Sequence, residues 1–482
     1  MLWTLTRREI LANLMTFRFC VAVIACLSLV LASTIVLTND YARRLARYNA
    51  DVIKHHQSNF SAKTYSYFRP ELDKPPNPLS IFNQGLEKRA PSSVRILRGE
   101  VPYLWKSHRD SDYDNPFQRL LAELDIVSIF QILLSLLALV FAYDAIAGER
   151  EAGTLRLMLA NSVSRGLILF SKYMGAMVCL FLPFLLSFLF ALVFQLLSGV
   201  THYKFDDFIR IGGIFVASLV YVSTFYLIGL LISSVTRHTA TSLILSIFVW
   251  IVFTFIYPNV SLFMVNRFVD IEEKLEQTNR EIDQIWEQFY REVEQQHDPL
   301  EKVRCIGSHG RTNRSRDCSY IPPEFEPEIP AAKAYYQFLV PLRIRTGEKI
   351  WSVRKHALAE TYLRKYAVAR NTLRFSPTGL YQLTTEAWAG TGLFRAEDFF
   401  KQARQYRQAV LDYFYGKKAF SSRLWFASDK GNASWDDVPR FSYRPPNALG
   451  NANRALPDLL MLFILNPLLF MIAFTVFSRQ EI

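Results

Sequence analysis

The residues best suited to chemistry lie in one short charged segment, Gly148-Glu149-Arg150-Glu151-Ala152-Gly153-Thr154-Leu155-Arg156. Ionised groups of both signs form the strongest hydrogen bonds that side chains can make. Long apolar runs precede and follow the segment, so its charges belong at a surface. The pattern is typical of recognition of a partner by charge, not of covalent chemistry. From composition alone, a solvated connector without a partner explains it equally well.

Motifs that would mark an enzyme are missing from the chain. There is no Gly-x-x-x-x-Gly-Lys-Ser/Thr phosphate loop and no nucleotide-binding fingerprint after a strand. Gly-x-Ser-x-Gly, His-Glu-x-x-His and Cys-x-x-Cys are missing as well. The adjacent His55 and His56 would point to different sides of a helix, so we expect a solvated pair. The sequence therefore predicts a protein that is not itself an enzyme and binds no metal or cofactor.

Ionisable residues are missing from the central parts of the apolar runs. Gln131 and Gln195 are polar but uncharged, and Asp144 and Asp458 lie at the ends of runs. An ion or proton path across a membrane needs ionisable groups inside it. The sequence therefore argues against an ion-coupled secondary transporter, and a transport machine of this kind would take its energy from a partner.

The elements that must position the charged segment are six uncharged apolar runs. Each has about 18–25 residues, enough for a helix to cross a hydrocarbon core of roughly 30 Å. They lack the polar stripe of a helix in a soluble protein. We predict an α-helical integral membrane protein with six transmembrane helices, an N-terminal interfacial helix and two extracytoplasmic insertions, one small and mixed or irregular, the other larger and mainly helical. The runs are Phe19–Leu37, Ile126–Tyr143, Tyr173–Leu197, Ile211–Val235, Leu243–Val265 and Leu459–Phe477.

Basic residues in the short connections predict the orientation in the membrane. With six spans, the N-terminus, the connection at 144–172, the connection at 236–241 and the C-terminal tail share one side, and all carry Arg or Lys. The positive-inside rule makes that side cytoplasmic. Both long polar segments then lie outside, where the rule does not apply to long translocated domains.

The predicted division of the chain follows from the runs and the orientation. Its parts are an interfacial helix (1–17), span 1 (18–38), extracytoplasmic domain 1 (39–125), span 2 (126–144), a cytoplasmic coupling helix (145–166), span 3 (167–199), a short outer loop (200–209), span 4 (210–235), a cytoplasmic loop (236–241), span 5 (242–265), extracytoplasmic domain 2 (266–456), span 6 (457–478) and a cytoplasmic tail (479–482).

Within the insertions, apolar spacing predicts several elements. The first insertion should contain a helix over Tyr41–Phe60 and a short strand at Val94–Leu97. In the second, apolar residues from Ile271 to Phe289 recur at steps of three and four, as on a helix packed against a partner helix. We expect Lys349–Arg370 to be that partner in an antiparallel hairpin, and a third helix at Ala396–Tyr415.

The cysteines fall into two groups, for which we expect different roles. Cys20, Cys26 and Cys179 lie in apolar runs and should act as small hydrophobic residues. Cys305 and Cys318 lie in the second insertion. A disulfide between them is plausible outside the cytoplasm, while free thiols, or a metal site shared with His297 and His309, remain alternatives.

The chain has a formal net charge of +12, but no recognisable nucleic-acid fold surrounds a basic run. Contact between basic side chains and anionic lipid headgroups explains the positive net charge as well. We therefore predict contact with membrane lipid and no binding of nucleic acid.

The charged segment closely resembles the coupling segment of ATP-binding-cassette (ABC) transporter permeases of the type-2 (ABC-2) exporter class. In that family an E-x-E-x-G-T-L-like segment between spans two and three docks on the nucleotide-binding subunit. Glu149, Glu151, Gly153, Thr154 and Leu155 match it here, and Val163-Ser164-Arg165 followed by Lys172 matches its usual continuation.

Three further stretches are similar to outer-domain motifs of a large-ectodomain subgroup of the same family. That subgroup is often grouped with permeases for multicopper-enzyme maturation and gliding motility. The stretches are Pro78-Leu79-Ser80-Ile81, Ser376-Pro377 and Ala389-Gly390-Thr391-Gly392.

The resemblance implies the permease subunit of an exporter in the inner (plasma) membrane, with periplasmic domains. Two permease subunits, identical or not, would pair, and separate ATP-binding subunits would hold ATP and Mg²⁺. Pro183 in span 3 would provide a helix kink. The alternative hypothesis is a membrane-anchored sensor or assembly scaffold whose helical outer domain binds a partner without transport. The residues expected to contact the ATP-binding subunit are Glu149, Arg150, Glu151, Gly153, Thr154, Leu155 and Arg156.

Overall fold

The computed structural model describes residues 2–104, 125–160, 164–268, 271–296, 306–307 and 318–479. In these ranges the protein is mostly helical, and six helices are long and apolar enough to cross a membrane. This confirms the predicted class, an α-helical membrane protein with six spans. The six candidate spans are Phe17–Phe60, Ile126–Glu151, Arg165–Leu197, Phe205–Val235, Thr239–Val265 and Ala448–Arg479.

Most secondary-structure elements in the described residues are helices, and strands are few. The helices are α1 (Leu2–Leu14), α2 (Phe17–Phe60), α3 (Ile126–Ile129), α4 (Ser135–Ala142), α5 (Ala147–Glu151), α6 (Thr154–Ala160), α7 (Arg165–Leu197), α8 (Phe205–Val235), α9 (Thr239–Ile251), α10 (Tyr257–Phe268), α11 (Glu272–Glu294), α12 (Ile329–Leu358), α13 (Arg364–Leu373), α14 (Pro377–Ala389), α15 (Leu393–Gly416) and α16 (Ala448–Arg479). Single π-helical turns join α3 to α4, α9 to α10 and α12 to α13 (Phe130–Leu134, Val252–Ile256 and Ala359–Leu363). Short 3₁₀ helices lie at Tyr65–Tyr67, Pro78–Ile81, Pro323–Glu328, Ala419–Ser421 and Arg423–Trp425.

The bundle has two distinct ends. At one end Arg165 donates hydrogen bonds to the carbonyls of Phe477 (3.1 Å) and Ser478 (2.6 Å), so the charged segment lies beside the end of α16. We call this the terminal end. The two long insertions meet at the opposite end, the insert end, where Asn77 and Arg210 both bond to the carbonyl of Ala389.

Helix α8 forms the centre of the bundle and is the most thoroughly buried of the six spans. It packs against α4, α14 and α16. Gly229 allows α8 to approach α4 closely, because a Cβ atom there would lie 2.6 Å from the Cβ of Ala142. Small residues at such crossings let membrane helices pack by van der Waals contact.

A short helix of the second insertion, α14, packs into the bundle. Its Tyr381 ring stacks on Tyr221 of α8, with ring centroids 4.3 Å apart, and its hydroxyl lies 2.8 Å from that of Ser218. Leu380, Tyr381 and Ala389 belong to the same buried cluster as residues of α4, α7 and α8. The second insertion is therefore anchored among the spans, a feature that the sequence did not predict.

Replacing Gly213 of α8 with alanine should loosen this anchor. A Cβ atom at Gly213 would lie 2.2 Å from the indole ring of Trp388, and such overpacking typically costs about 1–3 kcal/mol. We expect a lower thermal unfolding midpoint for the purified protein. Gly212→Ala is the matched control, because a Cβ there meets no atom of the described residues within 4 Å. Equal midpoints for the two variants would contradict the packing of α14 on α8.

The insertions contain the elements expected from their sequences. Strands β1 (Glu71–Asp73) and β2 (Ser93–Arg95) pair antiparallel, with Leu72 opposite Val94. Helix α2 continues through the stretch predicted as a helix at 41–60. Helix α11 packs on α12, and Lys274 pairs with Glu360 beyond it at 2.9 Å. Helix α15 covers the third predicted helix.

The expectation of a solvated histidine pair is wrong for His55. Its ring is buried, and Nδ1 lies 2.8 Å from Oδ2 of Asp73 on β1. Burial raises the pKa of Asp73, although the hydrogen bond to His55 acts in the opposite direction. Because His55 faces β1, its imidazole connects this part of α2 to the strand.

Three further predictions concern cysteines and a proline. Cys305 lies outside the described residues. Cys318 is the first residue of β4 (Cys318–Tyr320), whose backbone pairs antiparallel with β3 (Ile306–Gly307). This pairing does not show whether the two cysteines are bonded, so the disulfide stays a prediction. Cys20, Cys26 and Cys179 are free thiols. Pro183 lies inside α7, which is helical on both sides of it.

Candidate functional site

The predicted coupling helix at 145–166, which contains the charged segment, is divided into two short helices within its described residues. Helices α5 and α6 are separated at Ala152 and Gly153, where Gly153 has a φ of +73°. In the part of the chain that the structure describes, a Cβ atom at Gly153 would meet no atom within 4 Å. Glycine is therefore favoured here because of its left-handed backbone, not because of close packing.

Glu149 bonds to the helix that follows the segment. Its Oε1 accepts a hydrogen bond from Nζ of Lys172 on α7 at 2.6 Å, and the lysine side chain is only 4% exposed. The carboxylate predicted to face a partner is thus directed into the bundle.

Arg150 bonds to the end of α8. Its Nη1 donates to the carbonyl of Thr236 (2.7 Å) and its Nη2 to that of Ser234 (3.2 Å). Carbonyls at a helix C-terminus lack partners within the helix and carry partial negative charge, so a guanidinium there is favourable.

Glu151 bonds to the start of α9. Its Oε2 accepts hydrogen bonds from the backbone N (3.0 Å) and the hydroxyl (2.8 Å) of Thr239, the first residue of that helix. A carboxylate at a helix N-terminus satisfies free N–H groups and complements the helix dipole.

Two more contacts complete the connection to the surrounding helices. The hydroxyl of Ser233 on α8 accepts from the backbone N of Ile146 and of Ala147, both at 3.0 Å. Just before the segment, Asp144 accepts from Nη1 of Arg18 on α2 at 2.7 Å. Between residues 144 and 165 the chain therefore bonds to α2, α7, α8, α9 and α16.

The residues that follow α5 differ from one another in their exposure to solvent. Leu155 is fully buried, whereas Leu157 is 68% exposed and Gly153, Thr154 and Arg156 are exposed. The seven predicted contact residues thus differ in exposure: Glu149 and Arg150 are half-buried and Leu155 is buried, while Glu151, Gly153, Thr154 and Arg156 are exposed. Exposure does not exclude bonds within the chain, since Glu151 accepts from Thr239 and the hydroxyl of Thr154 donates to the carbonyl of Glu149. Which of them contacts a partner stays a prediction.

The insert end has its own polar junction, formed by two of the motifs noted in the sequence. The amide of Asn77, just before Pro78, donates to the carbonyls of Ala389 (2.7 Å) and Gly390 (3.1 Å). The backbone N of Leu86 donates to the carbonyl of Thr391 (2.9 Å). The two insertions are therefore joined through residues that lie more than 300 positions apart.

Arg210 fixes this junction to α8. Its Nη2 and Nε donate to the carbonyls of Ala389 (2.6 Å) and Trp388 (3.1 Å), and its Nη1 donates to Asp207 (3.0 Å). At span 2, Asp125 accepts from the backbone N of Gln84 at 2.8 Å. Both insertions thus rest on the ends of spans.

A buried ion cluster lies behind the junction. Oε2 of Glu87 lies 3.7 Å from Nζ of Lys74 and 3.4 Å from Nε of Arg395. Burial alone would raise the pKa of Glu87, but these two cations hold it below its usual value. Glu87 is therefore the anion that Lys74 of the first insertion and Arg395 of the second share, and these pairs help to hold the insertions together.

Sequence reasoning missed the residues that complete both junctions. Ser233 and Thr239 carry no motif, and Arg210 lies in the first turns of a span, where a charge looks like an ordinary anchor. The available signal was an ionisable residue next to an apolar run, which is costly unless it is paired.

Comparison with known proteins identifies the family. The model of the ABC-2 family transporter proteins matches residues 4–323, about two thirds of the chain. The chain belongs to the ABC-2 transporter family. A second family model, a domain of unknown function (DUF3526), matches residues 336–444 of this ABC-2 protein, which include α13 to α15.

Two curated relatives agree with the family. A probable ABC transporter permease protein, NosY, of Stutzerimonas stutzeri is 44% identical over 63 residues, and its counterpart in Pseudomonas aeruginosa is 43% identical over 63 residues. Each match covers 13% of this chain and 23% of the relative, so the chain matches about a quarter of each relative's length. This ABC-2 protein is therefore a multi-pass membrane protein of a transporter family.

Proposed function

We propose that the chain is the permease subunit of an ATP-driven ABC-2-type exporter and works as a dimer. Each permease subunit binds a separate ATP-binding subunit through residues 145–165. ATP and Mg²⁺ are held by that subunit, so this chain needs no cofactor of its own. The terminal end faces the cytoplasm, and the two insertions lie outside the inner membrane.

One observation carries the proposal: residues between 144 and 165, which include the charged segment, bond to five of the helices around them. Arg150 reaches the end of α8 and Glu151 the start of α9, while Glu149 reaches α7. A displacement of this segment therefore acts directly on spans 3, 4 and 5. An element with one face bonded to the spans and the other open to a partner has the arrangement required for transmitting ATP-driven motion.

The exposed apolar surface of the spans supports pairing in the membrane. Along α16 a row of apolar side chains faces outward, and α9 has a similar row (Leu460, Phe463, Ile464, Leu468 and Met471; Ile244 and Phe248). Lipid and a second permease subunit are the partners suited to such surfaces. The dimer is the arrangement that the family implies, with homodimer and heterodimer both compatible.

Arg156→Glu tests the docking surface. Because Arg156 is exposed on α6, reversing its charge should weaken binding of the ATP-binding subunit at least tenfold without unfolding the permease. The measurement is co-purification with an ATP-binding protein that carries a phosphate loop and is encoded beside this chain.

Lys401→Glu is the matched control, since Lys401 is exposed on α15 of the second insertion. It makes the same change in charge far from the charged segment and should leave co-purification unchanged. Equal binding of both variants would contradict docking on α6. Failure of the wild-type chain to bind any such protein would favour the scaffold hypothesis instead.

A further inference from the structure

Helix α1 lies along the first turns of α7 in close contact. A Cβ atom at Gly175 would lie 2.7 Å from the Cβ of Glu9, so only glycine lets the two helices approach to this distance. One turn further on, the thiol of Cys179 lies 3.6 Å from the carbonyl of Ile10. The position of α1 on α7 is therefore set by packing along its length.

The same interface contains a buried cation shared by two carboxylates. Nζ of Lys172 lies 3.2 Å from Oε1 of Glu9 on α1 and 2.6 Å from Oε1 of Glu149 on α5. The backbone carbonyl of Lys172 accepts from the hydroxyl of Tyr226 on α8 at 3.2 Å. One ammonium group thus connects the N-terminal helix, the charged segment and span 3.

We propose that Lys172 is a positioning residue that makes α1, the charged segment and the first turns of α7 move as one unit. This inference rests on the proposed function and adds α1 to the moving part. The motion of an ATP-binding subunit docked on α6 would reach span 3 through the Glu149–Lys172 pair and α1 through the Lys172–Glu9 pair.

The physical reason lies in the cost of unpaired buried charge. Removing one member of a buried ion pair leaves the other without compensation and is strongly destabilising. Without the ammonium, Glu9 and Glu149 would face each other across the site as like charges with little water to screen them. Separation of α1 from α5 relieves that repulsion, so α1 should detach from the unit.

The test compares Lys172→Met with Lys172→Arg and with Lys401→Met as the control. Hydrogen–deuterium exchange of residues 2–14 in the purified permease, without any ATP-binding subunit, should be at least tenfold faster in Lys172→Met. Lys172→Arg keeps the charge and should stay within about threefold of wild type. Unchanged exchange in a folded Lys172→Met protein would overturn the proposal.

A second experiment distinguishes the positioning role of Lys172 from a general loss of protein stability. Glu9→Gln and Glu149→Gln should each speed exchange in the wild-type background, because each removes a partner of Lys172. In the Lys172→Met background each should slow exchange back towards the wild-type rate, because it removes one of the two like charges that repel; effects within one network are not additive. Full additivity would overturn the proposal, because it would mean that the three groups act independently.

The third arm uses the assembled complex. Lys172→Met should keep co-purification of the ATP-binding subunit within about twofold while lowering permease-dependent ATP hydrolysis at least tenfold. Loss of co-purification as large as in Arg156→Glu would overturn the positioning role. Failure of any ATP-binding protein to bind the wild-type chain would contradict the proposed function, and the exchange experiment would still decide whether Lys172 joins α1 to α5.

Discussion

Asp458→Asn is expected to destabilise the protein by about 3–5 kcal/mol, the usual effect of breaking a buried ion pair. The carboxylate is fully buried on α16 and accepts from Arg370 (2.7 Å) and Arg374 (2.6 Å). These arginines lie at the end of α13 and just after it, where the chain turns into α14. Without the charge of Asp458, two guanidinium groups would remain at the edge of the bundle with one neutral partner.

The measurement is the thermal unfolding midpoint of the purified protein, together with proteolysis near residues 364–376. Asp412→Asn is the matched control, because Asp412 is exposed on α15 and, among the described residues, accepts only from Gln408 of its own helix. A midpoint for Asp458→Asn as close to wild type as that of the control would show that α13 and α14 are held to α16 by other contacts.

Arg210→Met is expected to have a comparable effect at the insert end. The guanidinium is buried and donates three hydrogen bonds, two of them to the carbonyls that end α14. Methionine fills similar space but provides no donor, so the carbonyl of Trp388 loses its bond to Arg210, at about 1–3 kcal/mol for a buried group left unsatisfied. The carbonyl of Ala389 keeps its bond from Asn77, and Asp207 keeps its bond from the backbone N of Lys204 but loses its charged partner. The junction between the insertions and α8 should open.

Hydrogen–deuterium exchange of residues 77–86 and 385–392 measures this opening directly. Arg291→Met is the control, since the Arg291–Glu287 pair is an exposed pair on α11 that contributes little. If exchange in the two segments is the same in both variants, Arg210 does not hold the insertions on the bundle.

The spans were predictable from the sequence because their signal is local. A run of uncharged apolar residues long enough to cross a membrane has no competing explanation, and all six runs lie in helices of the expected length. Helix α14 was not predictable in this way. It has only 13 residues and mixes Thr, Gln and Glu with apolar side chains, so nothing in its composition distinguishes it from a surface helix.

The charged segment was partly predictable. Its position between spans and its family resemblance follow from residues 149–155, but the direction of each side chain does not. Glu149 bonds to Lys172 and Glu151 to Thr239, and both carboxylates belong to α5, which ends just before the left-handed backbone at Gly153. Such pairings join residues 23 and 88 positions apart, and residue spacing within one helix cannot reveal them.

The insert-end junction shows the same limit over a longer distance. Two motifs that looked like separate features of the outer segments contact each other through Asn77 and Ala389, which are 312 positions apart. The donor is the side-chain amide of Asn77, and the acceptor is the backbone carbonyl of Ala389 at the end of α14. Only the fold decides where these groups find their partners.

The central claim is that the charged segment faces the cytoplasm and is covered there by an ATP-binding subunit. Thiol labelling of Ala152→Cys tests it most directly, because Ala152 is exposed between α5 and α6. In a background without the native cysteines, a membrane-impermeant maleimide should label this thiol in inside-out vesicles but not in intact cells, and added ATP-binding subunit should protect it. Labelling in intact cells, or labelling in inside-out vesicles that the subunit does not reduce, would contradict the account.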